Sequence, residues 1–140
     1  MKKTVFRVNN NFEYDFILIG IVSQQVDFRL CREINLVLDL KLYRKDDFLV
    51  FNQKRMEEQQ FAFFEHISDT ENRYNLISNK TNTAVLLSEK SQIDYLFIVH
   101  PGALPVDENE LLSKIKKVKF VLGAYKLVPA KLKSRENLIF

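Results

Sequence analysis

The chain has 140 residues, of which 46% are hydrophobic and 28% are charged, and its formal net charge is +3. This composition is typical of one globular domain and excludes a disordered chain, so we expect a single domain over residues 1–140. With one cysteine, Cys31, and two histidines, the chain cannot form an internal disulfide, and we expect neither a metal site nor a cofactor.

The first predicted elements are a strand and a helix. Residues 16–22 form an apolar run that is rich in β-branched side chains, which predicts a strand buried on both faces. This run is far shorter than the roughly 20 residues that span a bilayer, so we expect a cytoplasmic protein that makes no membrane contact. Ser23 is suited to cap the helix that follows. The apolar stripe of that helix comprises Val26, Leu30, Ile34, Val37 and Leu38.

The middle of the chain is predicted to form strands. Residues 48–51 are apolar, and residues 61–67 and 73–78 flank a polar turn cluster, a pattern that predicts a hairpin. Residues 84–87 and 93–99 are predicted as two further strands, the second of them apolar on both faces. The sequence His100, Pro101, Gly102 ends this last strand.

A second helix and a final strand complete the predicted fold. Asp107 and Glu110 have capping-box spacing at the start of the helix, and residues 120–127 are predicted as the last strand. The element order is therefore roughly β-α-β-β-β-β-α-β. This order predicts an α+β fold in which two helices pack on a mainly antiparallel sheet, and a ferredoxin-like arrangement with an inserted hairpin is one candidate.

Positive charge is concentrated near the end of the chain. Residues 111–135 contain no acidic residue, whereas the rest of the chain has 13 basic and 18 acidic residues. A basic region of this kind can bind an acidic protein surface or nucleic-acid phosphates, and Phe120 and Tyr125 could add stacking. The alternative is a solvated helix face followed by a lysine-rich tail. The basic residues are Lys114, Lys116, Lys117, Lys119, Lys126, Lys131, Lys133 and Arg135.

Catalytic residues are not evident. Cys31 lies at the edge of the apolar helix stripe, where a buried and inert thiol is expected. His66 and His100 are each far from Cys31 in sequence, and the chain has no phosphate-binding loop or zinc-protease motif. We therefore do not expect an enzyme.

Residues 87–95 read Leu-Ser-Glu-Lys-Ser-Gln-Ile-Asp-Tyr and resemble the signature of the IPExxxVDY family of Bacteroidota. Glu89, Asp94 and Tyr95 match the signature at its spacing, and Ser88 stands where the family has proline. Residues 15–21, 27–31 and 132–140 also resemble the family's first strand, first helix and ending. The resemblance implies a small single-domain protein without an assigned activity. Genes of this family often lie near those for ribonuclease III, acyl carrier protein, a ketoacyl synthase and pyruvate kinase.

The motif also has a physical interpretation. Asp94 interrupts an apolar strand, and a buried carboxylate must be paired or hydrogen-bonded, so Arg29 or backbone amides near Glu89 are candidate partners. Such a network either fixes the turn and strand from Glu89 to Tyr95 or presents these residues at a binding surface. The apolar ending, Leu138, Ile139 and Phe140, either packs on the sheet or serves as a docking peptide.

Three functional hypotheses follow. The first is a non-enzymatic interaction module that binds a cytosolic protein partner through the basic C-terminal region. The second is an RNA-binding accessory factor in RNA processing that uses the same region. The third is an enzyme of unknown class. A homodimer is an open alternative to a monomer, and the sequence does not favour it.

Overall fold

The computed structural model describes residues 15–138, which contain two α-helices and eight β-strands. The helices are α1, Asp27–Leu38, and α2, Glu108–Lys116. The strands are β1 Ile17–Val22, β2 Tyr43–Arg44, β3 Phe48–Asn52, β4 Glu57–Phe61, β5 Phe63–Ile67, β6 Arg73–Ser78, β7 Tyr95–His100 and β8 Gly123–Leu127. Short 3₁₀ helices occur at Ser88–Lys90, Pro129–Lys131 and Arg135–Leu138. No described helix is long and apolar enough to cross a membrane.

Six strands form one sheet in the order β2-β5-β6-β7-β1-β8, and every neighbouring pair is antiparallel. Strands β3 and β4 pair separately as a hairpin. The elements β1, α1, β6, β7, α2 and β8 follow a β-α-β-β-α-β order, and their strands lie side by side as β8-β1-β7-β6. This is a ferredoxin-like core. The predicted α+β class and antiparallel sheet are confirmed, and the insertion between α1 and β6 comprises β2, the hairpin and β5.

The central strands β1 and β7 are buried on both faces. Ile19 and Phe97 point into a core that they share with the two helices, represented by Ile34 and Ile115. Alternate residues such as Leu18 point into a second core on the opposite face. The second core is completed by Phe61 of the hairpin, by the segment between β6 and β7 through Leu86 and Leu87, and by the C-terminal segment through Leu132 and Leu138.

The start of α1 differs from the prediction. Ser23 does not cap the helix, because α1 begins at Asp27 and Val26 occupies the N-cap without a side-chain hydrogen bond. The Ser23 hydroxyl instead accepts the N–H of Gln25 at 3.2 Å, which fixes the turn before the helix. Val26 is consequently exposed rather than part of the buried stripe. The same correction applies to Val37, because α1 turns Leu30, Cys31 and Ile34 toward the core.

The start of α2 agrees with the prediction. The Glu110 N–H donates to Asp107 Oδ1 at 3.1 Å, as expected for an N-cap. Leu111 and Ile115 are buried against the sheet. Local sequence was sufficient here because both partners of the cap lie within one helical turn.

Two strand predictions are corrected. Residues 61–67 form no single strand, since β4 ends at Phe61 and β5 begins at Phe63. Residues 84–87 form no strand, because only an isolated bridge joins Lys80 to Val85. The apolar pattern of that segment instead reflects burial of Leu86 and Leu87 in the second core.

Asn79 holds this segment in place of strand pairing. Its side chain is fully buried, and its Oδ1 accepts the Leu87 N–H at 2.8 Å. Its Nδ2 donates to the carbonyl oxygens of Lys90 and Ile93 at 3.0 and 2.9 Å. One buried amide therefore satisfies backbone groups that a sheet would otherwise pair.

Gly20 of β1 gives Ile93 room to pack directly on the strand. A Cβ added at Gly20 would lie 2.9 Å from Ile93 Cδ1 and 3.1 Å from its Cγ1. These separations are shorter than normal carbon–carbon contacts. Glycine is therefore required here for close approach of a side chain, not for an unusual backbone angle.

We expect Gly20→Ala to destabilise the protein by about 1–3 kcal/mol through overpacking against Ile93. The same substitution made in an Ile93→Ala background should cost less, because the clashing atoms are absent. Urea unfolding of the two single variants and the double variant gives the coupling free energy. An equal cost of Gly20→Ala in both backgrounds would show that Ile93 is not the obstacle.

Candidate interaction surface

Asp94 and Tyr95 fix the turn that joins β1 to α1. The Asp94 carboxylate accepts the Ser23 N–H at 2.9 Å, and its other oxygen lies 2.9 Å from the Lys80 ammonium. The Tyr95 hydroxyl donates a hydrogen bond to the Gln25 carbonyl oxygen. Burial, together with the negative charges of Asp27 and Asp94, raises the pKa of Tyr95 to about 12, so this donor keeps its proton at neutral pH.

Arg29 is not a described partner of Asp94, contrary to the expectation from the sequence. Arg29 lies exposed on α1, whereas Lys80 at the end of β6 provides the cation. The backbone amide that binds Asp94 belongs to Ser23, not to a residue near Glu89. The network therefore joins two segments that are 71 residues apart.

Glu89 acts at a different place and attaches the C-terminal segment. Its Oε2 accepts the Ser134 N–H at 3.0 Å, and its Oε1 accepts the Ser134 hydroxyl. Partial burial raises the pKa of this carboxyl, but hydrogen bonds from the Ser134 side chain and from the backbone of Glu89, Ser134 and Lys133 outweigh it and lower the pKa to about 2. The three motif residues therefore serve two separate structural contacts.

The C-terminal segment packs on the second face of the sheet. Leu132 and Leu138 are buried there, and Asn137 Nδ2 donates to the Leu86 carbonyl oxygen at 3.0 Å. Leu138 is thus a core residue rather than a free docking group. Ile139 and Phe140, the rest of the predicted docking peptide, lie outside the described residues.

The basic side chains of the C-terminal region are all exposed, and their surroundings differ. Lys114 lies 3.1 Å from Glu110 and faces a cleft whose lining also includes Asp107. The Lys119 ammonium lies 5.2 Å from the centre of the Phe120 ring. Phe120 packs partly against the helix-side core, which leaves Tyr125 as the more exposed ring. The exposed residues are Lys114, Lys116, Lys117, Lys119, Lys126, Lys131, Lys133 and Arg135.

Four lysines meet at a shallow cleft beside the end of β8, which we call the lysine cleft. It has a volume of about 360 Å³ and is lined by Lys90, Lys126, Lys131 and Lys133, together with Glu89. The carboxylate is already hydrogen-bonded to Ser134. Sequence reasoning missed Lys90, because this residue comes from the segment before β7 and only the fold places it beside the C-terminal lysines.

A second cleft lies at the beginning of β8, and we call it the edge cleft. It has a volume of about 320 Å³, and its lining includes Lys116, Leu122, Gly123 and Tyr125. Leu122 is 70% exposed and Tyr125 55% exposed, and Val128 beyond the strand is 49% exposed. Exposed apolar side chains therefore lie in and beside β8, with Lys116 and Lys126 nearby, which suits a protein-binding surface with an apolar centre and a charged rim.

Cys31 and His100 are both shielded from solvent to a degree that shifts their pKa values. Burial, with a smaller effect of Asp27, raises the pKa of the Cys31 thiol to about 11, which opposes thiolate formation. The thiol lies 3.8 Å from the Leu42 carbonyl oxygen. Burial, assisted by the charge of Arg73, lowers the pKa of His100 to about 4 despite the opposing charge of Glu65. Among residues 15–138, no group of three or more His, Cys, Asp or Glu side chains is placed to hold a metal ion.

Comparison with known proteins gave no match to a family model, a curated protein or a solved structure. The resemblance of residues 87–95 to the family signature therefore stays a prediction. The exposed side chains around β8 are therefore the basis for inferring a function.

The Glu89–Ser134 contact predicts an acid-sensitive attachment of the C-terminal segment. The folded-state pKa of Glu89, about 2, lies below its ordinary value of 4.5. The stabilisation is therefore fully present above about pH 4.5 and is lost as the pH falls towards about 2. We expect Ser134→Ala to cost about 1 kcal/mol at pH 7 and to reduce the loss of stability on acidification.

Urea unfolding measured at several pH values between neutral and acid tests this expectation. Ser113→Ala is the matched control, because Ser113 is exposed on α2. An unchanged pH dependence in Ser134→Ala would show that this hydrogen bond does not set the Glu89 pKa.

The buried thiol predicts low chemical reactivity. A pKa about two units above the ordinary value reduces the thiolate fraction by about 100-fold, and burial restricts access further. We therefore expect iodoacetamide at pH 8 to alkylate Cys31 at least about 100-fold more slowly in the native chain than in the urea-unfolded chain. Similar rates, measured by mass spectrometry, would instead indicate an accessible and ionised cysteine.

Proposed function

We propose that this chain is a non-enzymatic interaction module that binds an acidic cytosolic protein through its basic C-terminal region. One observation carries the proposal: exposed Leu122, Tyr125 and Val128 lie along β8 among exposed lysines. Apolar side chains provide contact area that persists at high salt, and the lysines steer an acidic partner into place. The proposal includes membership of the IPExxxVDY family, on the resemblance of residues 87–95.

RNA binding is the second candidate, and the exposed ring of Tyr125 favours it. A base could stack on this ring while Lys116 and Lys126 bind phosphates. The two candidates differ in salt dependence, since RNA affinity falls steeply as counterions are released. The exposed apolar groups on both sides of Tyr125 favour the protein partner.

The proposal predicts a stable protein partner that depends on the charge beside β8. The tagged full chain is recovered from its native cells at low and high salt, with and without nuclease, and bound proteins are identified by mass spectrometry. We expect a stoichiometric protein that survives nuclease and high salt. Lys116→Glu combined with Lys126→Glu should reduce its recovery by about tenfold or more, because like charges would then face the acidic partner.

Lys41→Glu combined with Lys54→Glu is the matched control, because both lysines are exposed and lie outside the clefts beside β8. This control should retain the partner. Recovery that is lost on nuclease treatment would assign the surface to RNA. Equal recovery with both pairs of variants would place the partner elsewhere on the protein.

A further inference from the structure

Strand β8 is the last strand at one edge of the large sheet. It pairs with β1, and within residues 15–138 no other strand lies on its far side. The opposite edge is formed by β2, which has only two residues and therefore offers a short template. The five residues of β8 span about 17 Å, enough to pair with a short extended segment.

The side chains around β8 leave room at both of its ends. The edge cleft lies at the beginning of the strand and the lysine cleft at its end. Between them, Tyr125 lies close over Gly123, since a Cβ added at that glycine would be 2.7 Å from the tyrosine hydroxyl oxygen. The ring therefore lies along the strand and presents a flat apolar surface beside the open edge.

Charge decides which kind of segment fits. Lys116 lies at one end of the edge, Lys126 within the strand, and Lys131 at the other end. Glu89 is hydrogen-bonded to Ser134, and Glu108 lies 3.7 Å from Lys126 and offsets part of its charge. The positive charge beside this edge therefore comes mainly from Lys116, Lys131 and Lys133. A second copy of this chain would bring like charges together, which is costly across strands. An acidic segment would neutralise them.

We propose that β8 receives an extended acidic segment of the partner protein as an added strand, whose side chains enter the edge cleft and the lysine cleft. This inference rests on the proposed function and states how the partner binds. Backbone hydrogen bonds supply affinity in this mode, and the clefts select side chains of one charge. Tyr125 covers the apolar side chains of the added strand.

The test uses a fluorescein-labelled peptide of alternating glutamate and valine, about ten residues long, and fluorescence anisotropy with the full chain. Two further peptides have the same sequence but carry backbone N-methyl groups at alternate residues. In the second peptide the methyl groups block the N–H groups along one edge of the extended peptide, and in the third they block those along the other edge. Methylation removes strand hydrogen bonds without changing charge. We expect one of the methylated peptides to bind at least about tenfold more weakly than the parent peptide.

Side-chain variants test the contribution of charge. Lys126→Gln combined with Lys131→Gln should weaken binding of the parent peptide by about tenfold, because two ammonium groups beside the added strand are lost. Lys41→Gln combined with Lys54→Gln should bind it normally, since these lysines lie outside both clefts. Amide hydrogen exchange should slow in β8 when the peptide is bound.

Three outcomes would overturn the inference. Equal binding of all three peptides would indicate charge attraction without strand pairing, and no binding at concentrations up to about 1 mM would exclude this mode. Sedimentation as a dimer with protected β8 amides would assign the edge to a second copy. None of these outcomes changes which partner is recovered from cells. Failure of strand addition is therefore distinguishable from failure of the proposed function.

Discussion

The structure depends on one constraint: the central antiparallel pair β1 and β7 is apolar on both faces. Each face must therefore be covered, and α1 and α2 cover only one. The other face is covered by the β3–β4 hairpin, the segment before β7 and the C-terminal segment. Because burial of apolar area is the main driving force of folding, the hairpin and these two segments are as necessary to the core as the helices are.

The segment before β7 and the C-terminal segment lack a strand ladder, so polar side chains hold them. Asn79 binds the backbone of Leu87, Lys90 and Ile93, and Glu89 binds Ser134. Asp94, immediately before β7, joins Ser23 to Lys80. The motif that prompted the family resemblance thus has a structural role in this chain. Its residues attach the covering segments to the sheet.

This arrangement also explains where the charge lies. Once the C-terminal segment is packed through Leu132 and Leu138, the lysines between and beside them must face solvent. The attachment at Glu89 brings Lys90 to the same cleft. Positive charge therefore collects at the end of β8, next to the edge of the sheet that no other strand within residues 15–138 covers. The proposed acidic partner would meet both features at the same place.

The sequence by itself determined the elements that depend on near neighbours. Apolar runs predicted the doubly buried β1 and β7, the Asp107–Glu110 spacing predicted the start of α2, and the charge run predicted exposed lysines. Only the tertiary structure decided that Asp94 binds Ser23 and Lys80 rather than Arg29, that residues 84–87 are core without being strand, and that Lys90 joins the C-terminal lysines. The physical reason is that these contacts join residues far apart in sequence, where periodicity and capping patterns carry no information.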